Sequence, residues 1–165
     1  MRLVSLQHVL LAGMPKKHKL TGDFSPEYTV IGISSQARGY KLAMQVNEKL
    51  GLHLRRVEDF PKQGTEGRNY ALYEDQAKDS RRLYYLLSNR HPEGLLATAL
   101  KGIDAFIVIF ECLSKMEISE LLLLLRKGQG IQAAYEIKVE TVKDFDLMLE
   151  DLEVHLMNRP PLSAD

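Results

Sequence analysis

β-branched runs and stretches at helical spacing alternate along the chain from residue 28 onward. Tyr28 to Ser35 (YTVIGISS) is rich in β-branched residues and ends in small polar ones, which predicts a buried strand. Gln36 to Leu50 then places Leu42, Val46 and Leu50 on one helical stripe, with Ala43 beside them. Ser35 is placed to serve as its N-cap and Gly51 as a left-handed stop. Leu52 to Val57 predicts a short strand and completes a β-α-β unit. Pro61 to Arg68 holds a proline and two glycines and reads as a loop. Asn69 to Tyr73 and Arg82 to Ser88 read as two antiparallel strands joined by the polar stretch Glu74 to Ser80. Tyr70, Tyr73, Tyr84 and Tyr85 cluster here, as half-buried sheet faces favour.

Asn89 to Gly94 predicts a turn, and Leu95 to Leu100 a short helical turn. Asp104 to Glu111 (DAFIVIFE) is the most apolar run and so a central strand. Ser114 and Glu117 form a capping box ahead of a helix over Met116–Lys127. The leucines at 121–125 cover more than one helical face, so that helix either packs on several sides or lends a face to a partner. Ile131 to Val139 alternates as a sheet strand does. Thr141 opens a last helix with Phe145, Met148, Leu149, Leu152 and Leu156 on one stripe and acidic residues elsewhere.

This order predicts an α+β fold. The expected form is an antiparallel or mixed sheet with helices on one face, built from ferredoxin-like βαβ units with an inserted β-hairpin. A doubly wound sheet is disfavoured, because the middle of the chain lacks crossover helices. One domain is expected over residues 16–157, and Pro160 and Pro161 mark residues 158–165 as a disordered tail. Residues 1–15 read as an N-terminal tail. Met14 begins a second plausible start (MPKKHKL), so the segment before it is expected to be a start-site artefact. A signal peptide is disfavoured, since Gln7 and His8 interrupt the apolar run.

Composition adds little pull toward any one partner. Lys+Arg and Asp+Glu number 22 each, so no general attraction to nucleic acid or anionic membrane exists. The single cysteine, Cys112, allows no intramolecular disulfide, which fits a cytoplasmic setting. No apolar stretch is long enough to cross a bilayer.

Candidate chemistry is sparse. The five histidines show no metal-ligand spacing and none pairs with Cys112, so no metal or cofactor is expected. Cys112, between a strand and a helix, stands where an activated thiol could sit, but reads first as a small core residue because no partner base is identifiable. No nucleophile elbow, P-loop or dinucleotide fingerprint is present, so no catalytic residue is assigned. A strand running into a helix exposes backbone N–H groups, which makes Ser34, Ser35 and Arg38 the candidate anion site. The acidic pairs Glu58-Asp59 and Glu74-Asp75 read as solvated loop charges. Arg55-Arg56 and Arg81-Arg82 would form a basic patch only if their strands were neighbours.

The segments HKL (18–20), YTVIGISS (28–35), YKLAMQVNEKLGLHLRR (40–56), YALYED (70–75), LLSNR (86–90), GLL (94–96) and KGIDAFIVI (101–109) resemble the IPExxxVDY family, small Bacteroidota proteins without an assigned function. The naming segment departs from the pattern. Ala97-Thr98-Ala99 stands in place of Ile-Pro-Glu, and Ile103-Asp104-Ala105 in place of Val-Asp-Tyr. The resemblance implies a cytoplasmic bacterial protein and carries over no catalytic residues. Three functions stay open: a non-catalytic interaction or structural module, homodimeric or bound to a protein partner; a small-ligand or nucleotide-binding regulatory domain; and an enzyme whose site is assembled from distant loops.

Overall fold

A computed structural model describes residues 28–77 and 82–160. Expectations for the N-terminal tail and for residues 161–165 lie outside these. Strand β1 (Thr29–Ser35) leads into helix α1 (Tyr40–Leu50), which stops at Gly51 in the left-handed region (φ 68°), where a side chain would be strained. Strands β2 (Leu54–Arg56), β3 (Phe60–Pro61), β4 (Asn69–Tyr70), β5 (Leu72–Asp75) and β6 (Tyr84–Ser88) follow. A small hairpin of β7 (Arg90–His91) and β8 (Gly94–Leu95) precedes β9 (Ala105–Ile109). Then come α2 (Lys115–Leu125), β10 (Ile131–Glu136) and α3 (Phe145–Met157).

The main sheet has six strands in the order β10-β1-β9-β6-β5-β2, every neighbour antiparallel. β3–β4 and β7–β8 form two separate two-stranded ribbons. α2 links β9 to β10 across the intervening β1, and the chain from β1 through α1 returns to the sheet at its far edge before β6 settles beside β9. The fold is therefore α+β with an antiparallel sheet. The chain predicted as a loop over 61–68 is closed at its base by the β3–β4 ribbon, and of the stretch Leu95–Leu100, predicted helical, Leu95 ends β8 and the rest is bends and turns.

Two apolar cores form, one on each sheet face. Ile31, Ile33, Leu86, Ile107 and Ile109 pack with Leu42 and Val46 of α1 and Ile118 and Leu125 of α2. Val30, Tyr85, Leu87, Phe106 and Val108 pack with Phe145, Leu149 and Leu152 of α3. The expectation of helices on one face is thus corrected: α3 covers the opposite side. The reason is visible in β9, where successive side chains alternate between the two cores and all are buried. Gly32 makes room for this second core. A Cβ there would lie 2.9 Å from Ile137 Cδ1 and 3.0 Å from Ile103 Cδ1. β10 spans Ile131–Glu136, short of Val139; Ile137 still donates its N–H to Val30 O at 2.8 Å, and its side chain enters the far core. The chain then makes a 3-10 turn (Val139–Thr141), so α3 begins at Phe145 rather than at Thr141.

The tail expected from residue 158 also needs correction at its start. Arg159 is 13% exposed and its Nη2 donates to Glu74 Oε1 at 2.7 Å, pinning the chain after α3 to β5. Glu74 Oε2 accepts from Gln76, and burial beside Glu74 pushes the Tyr85 phenol well above its ordinary pKa.

The capping box is present. Ser114 Oγ accepts the Glu117 N–H at 3.2 Å, and Glu117 Oε2 accepts the Ser114 N–H at 2.8 Å. That backbone bond, with the Arg82 guanidinium beside it, holds the Glu117 pKa down to about 2 from 4.5. A folded-state pKa below the unfolded one means that protonation opposes folding. The contribution of Glu117 is complete above its ordinary pKa of 4.5 and fades as pH falls through about 2. A carbon-detected NMR titration should place the Glu117 midpoint near pH 2. A midpoint at the ordinary glutamate value would contradict the cap. Glu117→Gln should flatten the acid limb of stability across that window.

Candidate functional site

Ser35 ends β1 at an irregularity in the β1–β10 pairing, and its side chain does not cap α1. Its hydroxyl lies 2.8 Å from Gly130 O and 2.9 Å from Ala37 O, and accepts the Ala37 N–H at 3.0 Å. Residues 36–39 are needed to turn the chain, so α1 starts after Gly39 and no side chain caps it. This corrects the placement of the helix start at Ser35.

The Ser35 N–H still meets an anion, and that anion belongs to the chain. It donates to Asp104 Oδ2 at 2.8 Å. Asp104, 8% exposed, sits at the mouth of β9, and its Oδ1 accepts from Arg90 Nε at 2.7 Å. Arg38 Nη2 stands 3.8 Å from the same oxygen, on a largely exposed side chain. Arg90 Nη2 donates onward to Lys101 O at 2.9 Å. Of the residues expected to bind an anion, Ser35 and Arg38 converge on Asp104, whereas Ser34 pairs with Ala133 across the β1–β10 ladder.

Asn89, fully buried, continues the network one residue away. Its Nδ2 donates to Leu100 O (3.1 Å) and Ile103 O (2.9 Å), and its Oδ1 accepts the Ala97 N–H at 2.7 Å. Backbone bonds from Asn89 N to Asp104 O and from Leu96 N to Asn89 O complete the tie. Asn89, Arg90 and Asp104 together fasten the stretch from 96 to 103 to the sheet.

A concavity of about 30 Å³ opens here, lined by Arg38, Gly39, Tyr73, Ser88, Arg90 and Asp104 among others. That is room for one water molecule. A larger hollow of about 320 Å³ lies along the single loop Pro61–Glu66, where no side chains from other elements converge. The chemistry favours the smaller one, where groups from several elements meet. Asp104 already accepts two strong bonds, so the arrangement works as a brace.

The remaining candidates are dispersed. Cys112 is exposed, which corrects its reading as a core residue. The turn around it is anchored instead by Thr29, whose Oγ1 donates to Glu111 O (2.7 Å) and accepts the Leu113 N–H (2.9 Å). β2, which carries Arg55 and Arg56, is separated by β5 from β6, which Arg82 precedes, and Arg81 lies outside the described residues. Arg56 pairs with Asp59 and lies 5.6 Å from the Tyr73 ring centre, while Arg82 pairs with Glu111 and Glu117. Among the described residues no group of three His, Cys, Asp or Glu is placed to hold a metal ion, and no helix is long and apolar enough to cross a membrane.

The leucine run divides. Leu125 is buried, Leu121 and Leu122 are half-buried, and Leu123 and Leu124 are 60% and 40% exposed. With Met116 (73% exposed) and Glu120 they form an outward stripe on α2, past whose end exposed Lys127 follows in a turn, and Tyr40 and Met44 form one on the adjacent α1. Comparison with family models, with curated proteins and with solved structures found no match.

Proposed function

We propose that this protein is a non-catalytic interaction module that forms a homodimer through the outer stripe of α2. The exposed pair Leu123 and Leu124 carries this reading, because ordinary packing leaves such a pair inside. The stripe is self-complementary in charge. Two copies of α2 laid antiparallel about a two-fold axis at Leu123/Leu124 bring Glu120 of each opposite Lys127 of the other. Tyr40 and Met44 of α1 extend the apolar surface. The resemblance to the IPExxxVDY family and a cytoplasmic bacterial setting belong to the same proposal.

Light scattering across a wide concentration range tests it. The wild type should show the mass of a dimer, and the Leu123→Glu, Leu124→Glu variant that of a monomer. Because both side chains are exposed in the single chain, monomer stability should change by only about 0.5 kcal/mol per site. A wild type that stays monomeric at the highest concentration would end the proposal.

Binding of a small anion is favoured by one observation, the convergence of Arg38 and Arg90 at the concavity. It ranks second because Asp104 already occupies the Ser35 N–H and neutralises one guanidinium. Phosphate titration followed at the Arg38 and Gly39 amides distinguishes it, since a homodimer alone leaves those signals unmoved.

A further inference from the structure

The outer edge of β10 carries a feature that the dimer proposal does not use. Ile137 N–H donates to Val30 O at 2.8 Å. Bonded and non-bonded pairs alternate along an antiparallel ladder. Tyr135–Gly32 is therefore a bonded pair, and Glu136–Ile31 and Ala134–Ile33 are non-bonded ones. Ile33 O accordingly faces β9, where it accepts the Asp104 N–H at 2.7 Å. The N–H and C=O groups of Ala134 and Glu136 then point away from β1, toward a side where no strand lies among the described residues. One of those groups is taken. Arg126, the C-cap of α2, directs Nη2 (2.7 Å) and Nε (3.2 Å) onto Ala134 O.

We infer that the outer edge of β10 is a docking edge for β10 of a second copy of this chain, and that Arg126 holds it closed. An open strand edge is a template for another strand, and a charged side chain laid over it is one way to block pairing. A second copy fits because the edge is self-complementary. An antiparallel pairing about a two-fold axis at Ala134 sets Gln132 opposite Glu136 twice, amide against carboxylate. On the other face it sets the small Ala133 opposite the large, exposed Tyr135. Residue 134 meets its own copy and 136 meets Gln132, the residue skipped at the register shift, and the backbone groups of 134 and 136 already face outward. The Arg126 fork occupies the centre of that ladder, so pairing requires its removal.

The full chain carrying Arg126→Ala tests this by light scattering and amide hydrogen exchange. The variant should show at least twice the mass of the wild type, since a protein already dimerised through α2 keeps two open edges, and exchange at Ala134 and Glu136 should slow. Glu136→Pro added to Arg126→Ala should restore the wild-type mass, since that N–H makes no bond to β1. The doubling should persist when Leu123→Glu is also present, which separates this edge from the α2 stripe. An unchanged mass with unchanged exchange would overturn the inference. So would association that Glu136→Pro does not reverse, or that leaves the β10 amides unprotected.

Discussion

Asn89→Ala is expected to destabilise the fold by about 2–4 kcal/mol, because three bonds end on one buried amide, one of them wholly buried and two partly so. The substitution leaves Leu100 O, Ile103 O and the Ala97 N–H without their partner; Ile103 is buried, while Ala97 and Leu100 are half-buried. Each orphaned group costs about 1–3 kcal/mol, reduced where water enters or the chain relaxes. Equilibrium urea unfolding at constant slope measures the loss. Native-state exchange should show the Ala97 amide opening far more readily than those of β9. A loss near 1 kcal/mol or less would mean that the 96–103 stretch is held by something other than Asn89. Asp104 should couple to Asn89 in a double-mutant cycle, because both fasten the same stretch to the sheet.

Phe106→Ala is expected to cost about 3–5 kcal/mol for a different reason. Phe106 is fully buried on the far face of β9 and meets Phe145 edge-to-face, with ring centres 5.1 Å apart at 74°. Truncation removes the largest side chain that β9 turns toward α3 and leaves a cavity beneath the helix. Pairing it with Phe145→Ala should reveal a coupling of about 0.5–1.5 kcal/mol from the aromatic contact. The damage should be local in kind. Amides of α3 should lose protection before those of α1 and α2, which pack in the other core. Equal loss on both faces would contradict the separation into two cores.

The sheet was largely legible because its signals are local. The alternation of Ile131 to Glu136, the apolar run of β9 and the Ser114–Glu117 box each report their own backbone state within a few residues. The covering of both faces was also present in the sequence, though indirectly. A strand such as Ala105–Ile109, apolar at every position, needs cover on two sides. The stripe Phe145, Leu149 and Leu152 was the element available to supply it.

The site was harder to read, because its partners are backbone groups. Asn89 in a turn looks like any turn-forming asparagine, and nothing in the spacing shows that its amide reaches Ala97, Leu100 and Ile103. The oxyanion expected at Ser35 and Arg38 is Asp104, 69 residues away from Ser35 in sequence, so short-range pattern could not supply it. Arg126 likewise reads as an ordinary basic residue at a helix end. Its role over β10 depends on which carbonyls the ladder turns outward.

The working surface is claimed to be the α2 stripe, and the polar cluster around Asp104 to be a brace. Methyl NMR on a mixture of differently labelled chains tests this directly. Contacts between chains joining the Leu123 and Leu124 methyl groups are expected. A chain that shows no such contacts and remains monomeric, or that associates with those methyl groups still facing water, would contradict the claim.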